Sequence, residues 1–239
     1  MGIIFNGAVF SNAPQTESDG SWDVLDSAGE VVWPCCGHEI DFDVPGNIAE
    51  ATAFEHIVIN WNPHGHPPPH VYSVPHFDFH FYTMSREDRL AITSPPAADM
   101  CNDNVYGIPV VPLDCAQLDK AMAPLPADQQ PPNHTTVGAV EPAMGNHMVD
   151  LSSPEFNGGE FANTFIFGTW DGDLTFWEPM ITVDFLMSVR HKCFRFENPE
   201  AAPEAGWYPG KYCVEYNPGH DQYTITLREF EWLAASSGL

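Results

Sequence analysis

Apolar and polar positions alternate with a period of two in several blocks of the chain, and each such block predicts strands. Over residues 54–61 (FEHIVINW), Phe54, His56, Val58 and Asn60 fall on one face, with Ile57, Ile59 and Trp61 on the other. A second strand is predicted at 76–83, where Phe77, Phe79 and Phe81 alternate with His76, Asp78, His80 and Tyr82. Residues 163–189 make a second strand-rich block and 211–232 a C-terminal one. Inside the middle block, Asp171-Gly172 separates two β-rich runs, a type I′ hairpin signal. The implied register sets Phe165 and Phe167 opposite Glu178 and Phe176, with Leu174, Phe176 and Glu178 sharing a face.

The intervening segments carry turn chemistry. Asn62 to His70 reads as a loop, because the three successive prolines Pro67, Pro68 and Pro69 cannot enter a ladder interior. Ser85-Arg86-Glu87-Asp88 resembles a capping box that opens a short helix to about Ile92. Residues 93–135 are rich in Pro and Asp and predict irregular structure, with one short apolar run from Ile108 to Val111. The chain therefore reads as a single β-rich domain over 1–239, with a polar lead-in at 1–30 and C-terminal strands at 187–239. The fold class is all-β, a barrel or sandwich of cupin-like general character, with one short helix and long Pro-rich loops.

Charge changes the picture by exclusion. With 33 Asp+Glu against 8 Lys+Arg, the formal charge is 8 − 33 = −25. Nucleic acids and anionic membranes repel such a surface, so neither is an expected partner. No stretch approaches the roughly 20 apolar residues of a membrane span. The 44% hydrophobic content is too high for a disordered acidic chain. The dispersed acids read as a solvated surface. No signal peptide is visible at Met1-Gly2-Ile3-Ile4-Phe5-Asn6, which lacks a basic start and a long apolar run. Among six cysteines, Cys101 with Cys115 and Cys193 with Cys213 have spacings that suit bridges, which favours an extracytoplasmic setting. Cys35 and Cys36 are adjacent and are not expected to bond each other. No CxxC pair announces a cysteine zinc site.

The segment 76–82 carries the most chemistry. As a strand it presents His76, Asp78, His80 and Tyr82 on one side and three phenylalanines on the other. His76 and His80 are then about 13 Å apart along the strand, too far for easy convergence on one ion, whereas neighbours two apart (about 6.6–7 Å) reach one readily. Glu178 projects from an otherwise apolar face, so it must be paired, metal-bound or protonated, unless it ends its strand and escapes to solvent beside Pro179. His66, on the proline-stiffened loop, and His147, on a second loop, complete the candidate set. The expected metal ligands are His66, His76, His80, His147 and Glu178, with Glu178 or Asp78 as the catalytic proton acceptor. His64, His70, His134 and His220 read as surface histidines and His56 as a satisfied interior one. Cys36, before Gly37-His38, is a weak candidate nucleophile.

Trp61-Asn62-Pro63, Gly65-His66-Pro67-Pro68, Tyr72 and Pro75 to Tyr82 together resemble a family of bacterial β-rich proteins whose founding structure comes from a Thermus species. Met144-Gly145 with His147 and Asp150, Pro154-Glu155-Phe156, Thr164-Phe165-Ile166 with Gly168, and Phe176 with Glu178-Pro179-Met180 extend the resemblance over about residues 54–186. The resemblance implies a barrel-like fold and a homo-oligomer, and no substrate. The lead-in and the segment after 190 fall outside it.

A mixed His and carboxylate set on strands suits a divalent metal: zinc first, iron or manganese next. The function expected is metal-assisted hydration, hydrolysis or lyase chemistry on a small-molecule substrate. One alternative is a non-haem iron oxygenase using two His and one carboxylate. The other is a non-catalytic oligomeric structural or binding module.

Overall fold

The computed structural model describes residues 1–26, 28–95, 110–111 and 114–238, and the fold is all-β. The N-terminal half supplies β1 (Gly2–Asn6), β2 (Val24–Asp26), β3 (Val31–Trp33), β4 (His38–Asp43), β5 (His56–Asn62), β6 (His76–Tyr82) and β7 (Val110–Val111). The C-terminal half supplies β8 (His134–Glu141), β9 (Gly145–Asp150), β10 (Asn163–Trp170), β11 (Asp173–Thr182), β12 (His191–Arg195), β13 (Ala201–Ala202), β14 (Gly206–Asn217) and β15 (Gln222–Ala235). Seven of them form an antiparallel sheet in the order β4-β5-β6-β11-β10-β9-β8. A second sheet runs β1-β15-β14-β12, with β13 parallel to β15, and a third, small sheet runs β3-β2-β7.

The two larger sheets make a sandwich. Ile57, Ile59, Trp61, Phe77, Phe79, Phe81, Phe165, Phe167 and Trp177 face Tyr212, Val214, Ile225 and Leu227 of the second sheet in one core. Each fully buried large side chain there contributes about 1.5–3 kcal/mol of transfer free energy. The opposite face of the seven-stranded sheet is buried as well, under connecting loops, around Val58, Tyr72, Tyr82, Met144, Ile166, Phe176 and Met180. Strands β5 and β6 are consequently buried along their whole length, although one face of each is polar. That polar face lies against the loop-covered side, and it needs partners there.

The alternation predicted for β6 holds, as does the division of Val58 from Ile57, Ile59 and Trp61 on β5. Phe54 does not follow it. It precedes the strand and packs in the inter-sheet core against Phe81 and Trp177. The hairpin register also differs. A bulge between Gly168 and Thr169 places Ile166 opposite Glu178 and Gly168 opposite Phe176, and it turns Leu174 to the inter-sheet core. A bulge adds a residue to one arm and reverses the facing of everything beyond it.

Further differences concern the termini and helices. Gly2–Asn6 pairs with β15, and Phe5 and Phe10 pack against the inter-sheet core, so the start of the chain is part of the sandwich. Five residues of alternation are too few to stand out beside a polar stretch. The Ser85 helix spans Arg86–Leu90, with Ser85 accepting from the Asp88 amide and donating to its carboxylate. Other short helices occur, including Val183–Ser188, which Thr182 caps within the block read as strand. No helix among the described residues is long and apolar enough to cross a membrane. Arg89 is buried; it bonds Glu39 at 2.9 and 3.1 Å and Asp41 at 3.2 Å, and lies over the Tyr82 ring.

Cys193 and Cys213 stand opposite each other on β12 and β14 and are bridged, as their spacing predicts. Cys101, the predicted partner of Cys115, lies outside the described residues. Cys35 and Cys36 correct the expectation made for them: they are bonded to each other. A chain reversal with Cys36 at φ 91° and Gly37 at φ 71° brings the adjacent side chains to one side. Cys36 therefore presents no free thiol as a nucleophile.

Candidate metal centre

Three elements bring the polar residues together. β6 supplies His76, Asp78 and His80, β11 supplies Glu178, and β9 supplies His147. His147, expected on a loop, lies on a strand, opposite Gly168 of β10. The loop between β5 and β6 folds back so that the His66 amide donates to the Tyr72 carbonyl. Gly65 makes this closure possible, since at φ 72° a Cβ would stand 2.1 Å from that carbonyl oxygen. Glu178 is buried and does not end its strand. Pro179 lacks an N–H, and β6 and β11 pair on either side of it, at Trp177↔Phe81 and Met180↔Asp78.

The five expected ligands do not form one set. With Asp78 they divide into His66/His76/Asp78 and His80/His147/Glu178, and within each group the candidate ligand atoms lie within 4.8 Å of one another. This is the separation the strand spacing demands, with His76 and His80 in different groups. His76 Nε2 is 3.2 Å from Asp78 Oδ1, His66 Nε2 3.5 Å from Asp78 Oδ2, and His80 Nε2 3.5 Å from Glu178 Oε1. Ligands about 2.0–2.1 Å from a tetrahedral zinc are about 3.3–3.4 Å apart, so these spacings are those of neighbouring ligands.

The hydrogen bonds fix which nitrogens face inward. His76 Nδ1 is 2.7 Å from the Val74 carbonyl, His66 Nδ1 2.7 Å from that of Pro67 and His147 Nδ1 2.9 Å from that of Ala139. A carbonyl only accepts, so each Nδ1 is the donor, and the Nε2 of each ring is turned to the interior. His76 Nε2 and Asp78 Oδ1 then face each other at 3.2 Å, an ion pair when the ring is protonated, and no well-aligned hydrogen bond joins them. Glu178 Oε2 and both ring nitrogens of His80 are likewise buried without one. Buried acceptors that face each other need a proton or a cation between them. Backbone carbonyls that hold the distal nitrogen are also the usual support of a metal-binding histidine.

Electrostatics separates the groups. Burial disfavours the charge on Asp78, yet His76 and His66 beside it hold its carboxyl well below the usual range. Asn62 Nδ2 adds a 2.7 Å hydrogen bond to Asp78 Oδ2. Burial works against His66 too, but the Asp78 carboxylate outweighs it and raises the imidazole above its ordinary value. In the second group burial dominates. It lowers His80 to about 3 and His147 to about 4, so both rings are neutral near pH 7. Burial, reinforced by the Asp78 charge, pushes Glu178 well above the carboxylate range. Without a cation beside it, Glu178 holds a proton.

One cavity of about 390 Å³ is lined by members of both groups, His66, Asp78, His80, His147 and Glu178, and by apolar walls that include Pro67, Met144, Val149, Ile166 and Met180; His76 is fully buried and is not on its wall. Sequence reasoning missed three contributors. Asn62 positions Asp78, and Phe176, with its ring over Gly168, packs against His80 and His147. The third is Cys35/Cys36/Glu141 on the cavity wall, another group whose atoms could hold an ion. The remaining histidines are elsewhere. His56 is interior and stacked on Tyr82, but neither ring nitrogen has a hydrogen-bond partner. His134 is buried, not superficial, with its nitrogens 2.8 and 3.1 Å from the carbonyls of Pro132 and Phe165. His64, His70 and His220 are exposed.

No protein-family model, curated protein or solved structure matches the chain.

Proposed function

We propose that the protein binds a divalent metal in this cavity and uses it for hydration, hydrolysis or lyase chemistry on a small molecule. The observation that carries the reading is the inward-turned His76 Nε2 and the Asp78 Oδ1, buried 3.2 Å apart with no well-aligned hydrogen bond between them. His66, His76 and Asp78 would hold the ion. Three protein ligands leave coordination positions for water and substrate, the arrangement of catalytic rather than structural zinc. When bound, such an ion supplies Lewis acidity that brings the ionisation of a water near neutral pH.

The chain's own residues supply the rest. Glu178, protonated through burial, can deliver a proton and take one back, with His80 Nε2 3.5 Å from its Oε1. A cation beside it would displace that proton and make His80, His147 and Glu178 a second site. Asn62 keeps Asp78 oriented, and Pro67, Pro68 and Pro69 of the loop line the cavity beside His66. The cavity volume is at the lower end of small-molecule sites.

Zinc is the first candidate, with iron or manganese next. The two-His, one-carboxylate composition of each group also favours a second reading, a non-haem iron oxygenase. Redox activity of the bound metal decides between them. The family resemblance adds a homo-oligomer to the proposal. The Cys193–Cys213 bridge supports an oxidising, extracytoplasmic setting.

Metal stoichiometry by plasma mass spectrometry tests the reading, with melting curves taken with and without chelator. His76→Ala and Glu178→Gln should each lower bound metal in folded protein. Protein that takes up no zinc, iron or manganese, and melts identically with chelator, would leave the structural module as the better account.

A further inference from the structure

Cys35, Cys36 and Glu141 stand apart from the histidine groups and take no part in the function proposed above. Glu141 Oε2 lies 3.2 Å from Cys35 Sγ and 3.8 Å from Cys36 Sγ, and all three residues line the cavity. The loop that carries the sulfurs is held from both sides. The Cys35 amide donates to Asp23 Oδ1 at 2.9 Å, and Asn60 Nδ2 donates to the Cys36 carbonyl at 2.8 Å. Asn60 is itself fully buried on β5. Opening the sulfur–sulfur bond therefore leaves both side chains beside the same carboxylate. The cavity gives a small reductant access to Cys36, which is half-buried.

We propose that Cys35, Cys36 and Glu141 form a second, redox-gated metal site, closed as the disulfide and open to a thiophilic cation of the zinc and cadmium class when reduced. Opening is a two-electron step with a small-molecule thiol as reductant. Its thiolate attacks one sulfur and breaks the bond between Cys35 and Cys36; a second thiol resolves the mixed disulfide. The products are two protein thiols and one oxidised thiol dimer. Binding of the divalent cation then releases both thiol protons and forms two metal–thiolate bonds, and the Glu141 carboxylate is the third ligand. Two thiolates select soft cations, whereas the nitrogen and oxygen groups deeper in the cavity suit harder ones.

The test uses the full chain and Cd²⁺ as probe. A water-soluble phosphine reduces the protein, becoming its oxide as water supplies the oxygen and both protons; excess is removed without air. Reduced protein should bind Cd²⁺ with an ultraviolet thiolate-to-metal absorption that untreated protein lacks. Cd²⁺ should also protect Cys35 and Cys36, read by peptide mass, from alkylation by at least tenfold. Cys35→Ser/Cys36→Ser should abolish the band, and Glu141→Gln should weaken Cd²⁺ binding while keeping it. Equal alkylation of Cys35 and Cys36 with and without Cd²⁺ in reduced wild-type protein would overturn the proposal, and that readout needs no variant to fold. An undiminished band in the double variant would overturn it too, by assigning the sulfur ligands elsewhere. Nitrogen and oxygen ligands give no such band, so failure here is distinguishable from failure of the histidine sites.

Discussion

Gly168→Ala probes how the sheet shapes the site. A Cβ at Gly168 would stand 2.0 and 2.1 Å from two ring carbons of Phe176. Carbon atoms pack at about 3.5–4.0 Å, so the ring must retreat by about 1.5–2 Å. It has little room to do so. Phe176 is fully buried, with its centroid 4.8 Å from His80, 5.1 Å from His147 and 5.2 Å from Tyr82. Overpacking of this kind costs about 1–3 kcal/mol. At about 2–4 °C per kcal/mol for a chain of this size, the Tm of metal-free protein should fall by about 2–12 °C. The displaced ring should also weaken metal uptake at His80/His147/Glu178 and spare His66/His76/Asp78. Phe176→Leu in the same background should recover at least half the loss, giving a favourable coupling in a double-mutant cycle. Thermal melts and metal titrations of the four proteins measure this. An unchanged Tm for Gly168→Ala, or a loss that Phe176→Leu does not relieve, would refute the packing argument.

Other perturbations have defined outcomes. Arg89→Met removes the cation between Glu39 and Asp41 and should cost about 3 kcal/mol in chemical denaturation, because it leaves Glu39 without its cation in a half-buried site, while Asp41 keeps Arg86. Cys193→Val/Cys213→Val opens a loop of sequence separation 20 and should cost about 3 kcal/mol; an unchanged midpoint would place the strand pairing alone in charge of that edge. Metal-free protein should lose stability as pH falls from about 6.5 to about 4. Burial lowers His56 and His147 to about 4 and His80 to about 3, so the unfolded chain takes up protons first; their contribution is present above 6.5 and lost as pH drops through the folded values. Burial raises Glu178 well above its ordinary range and Glu141 to about 7, and both act in the opposite sense, so Glu141→Gln should steepen the acid loss. A loss no steeper in that variant would contradict the assignment.

Much of the site was legible because its main strand obeys a two-residue period. The separation of His76, Asp78 and His80 from Phe77, Phe79 and Phe81 needs no tertiary information. The same period keeps His76 and His80 in different groups. The pairing of strands was less legible. The bulge opposite Gly168 leaves Thr175 unpaired and shifts the register of β11 by one residue; a mid-strand glycine hints at a bulge but not at which arm carries the extra residue. His147 resembles a loop residue because β9 is short and is defined by partners at long sequence separation. Glu141, followed by a proline, has no local signal at all; the folding of the Cys35 loop gives it a role. The Cys35–Cys36 bond depends on a left-handed residue at Cys36, which residue type alone does not predict.

On the proposed function, a cation belongs between the inward-turned histidine nitrogens and the buried carboxylates. Anomalous diffraction at the zinc absorption edge from zinc-loaded crystals tests it most directly. The account predicts a peak about 2.0–2.1 Å from the Nε2 atoms of His66 and His76 and from an Asp78 oxygen, with a second peak at His80, His147 and Glu178 if both groups fill. Zinc confined to surface carboxylates, with His76 Nε2 and Asp78 Oδ1 still facing each other across an empty gap, would contradict it.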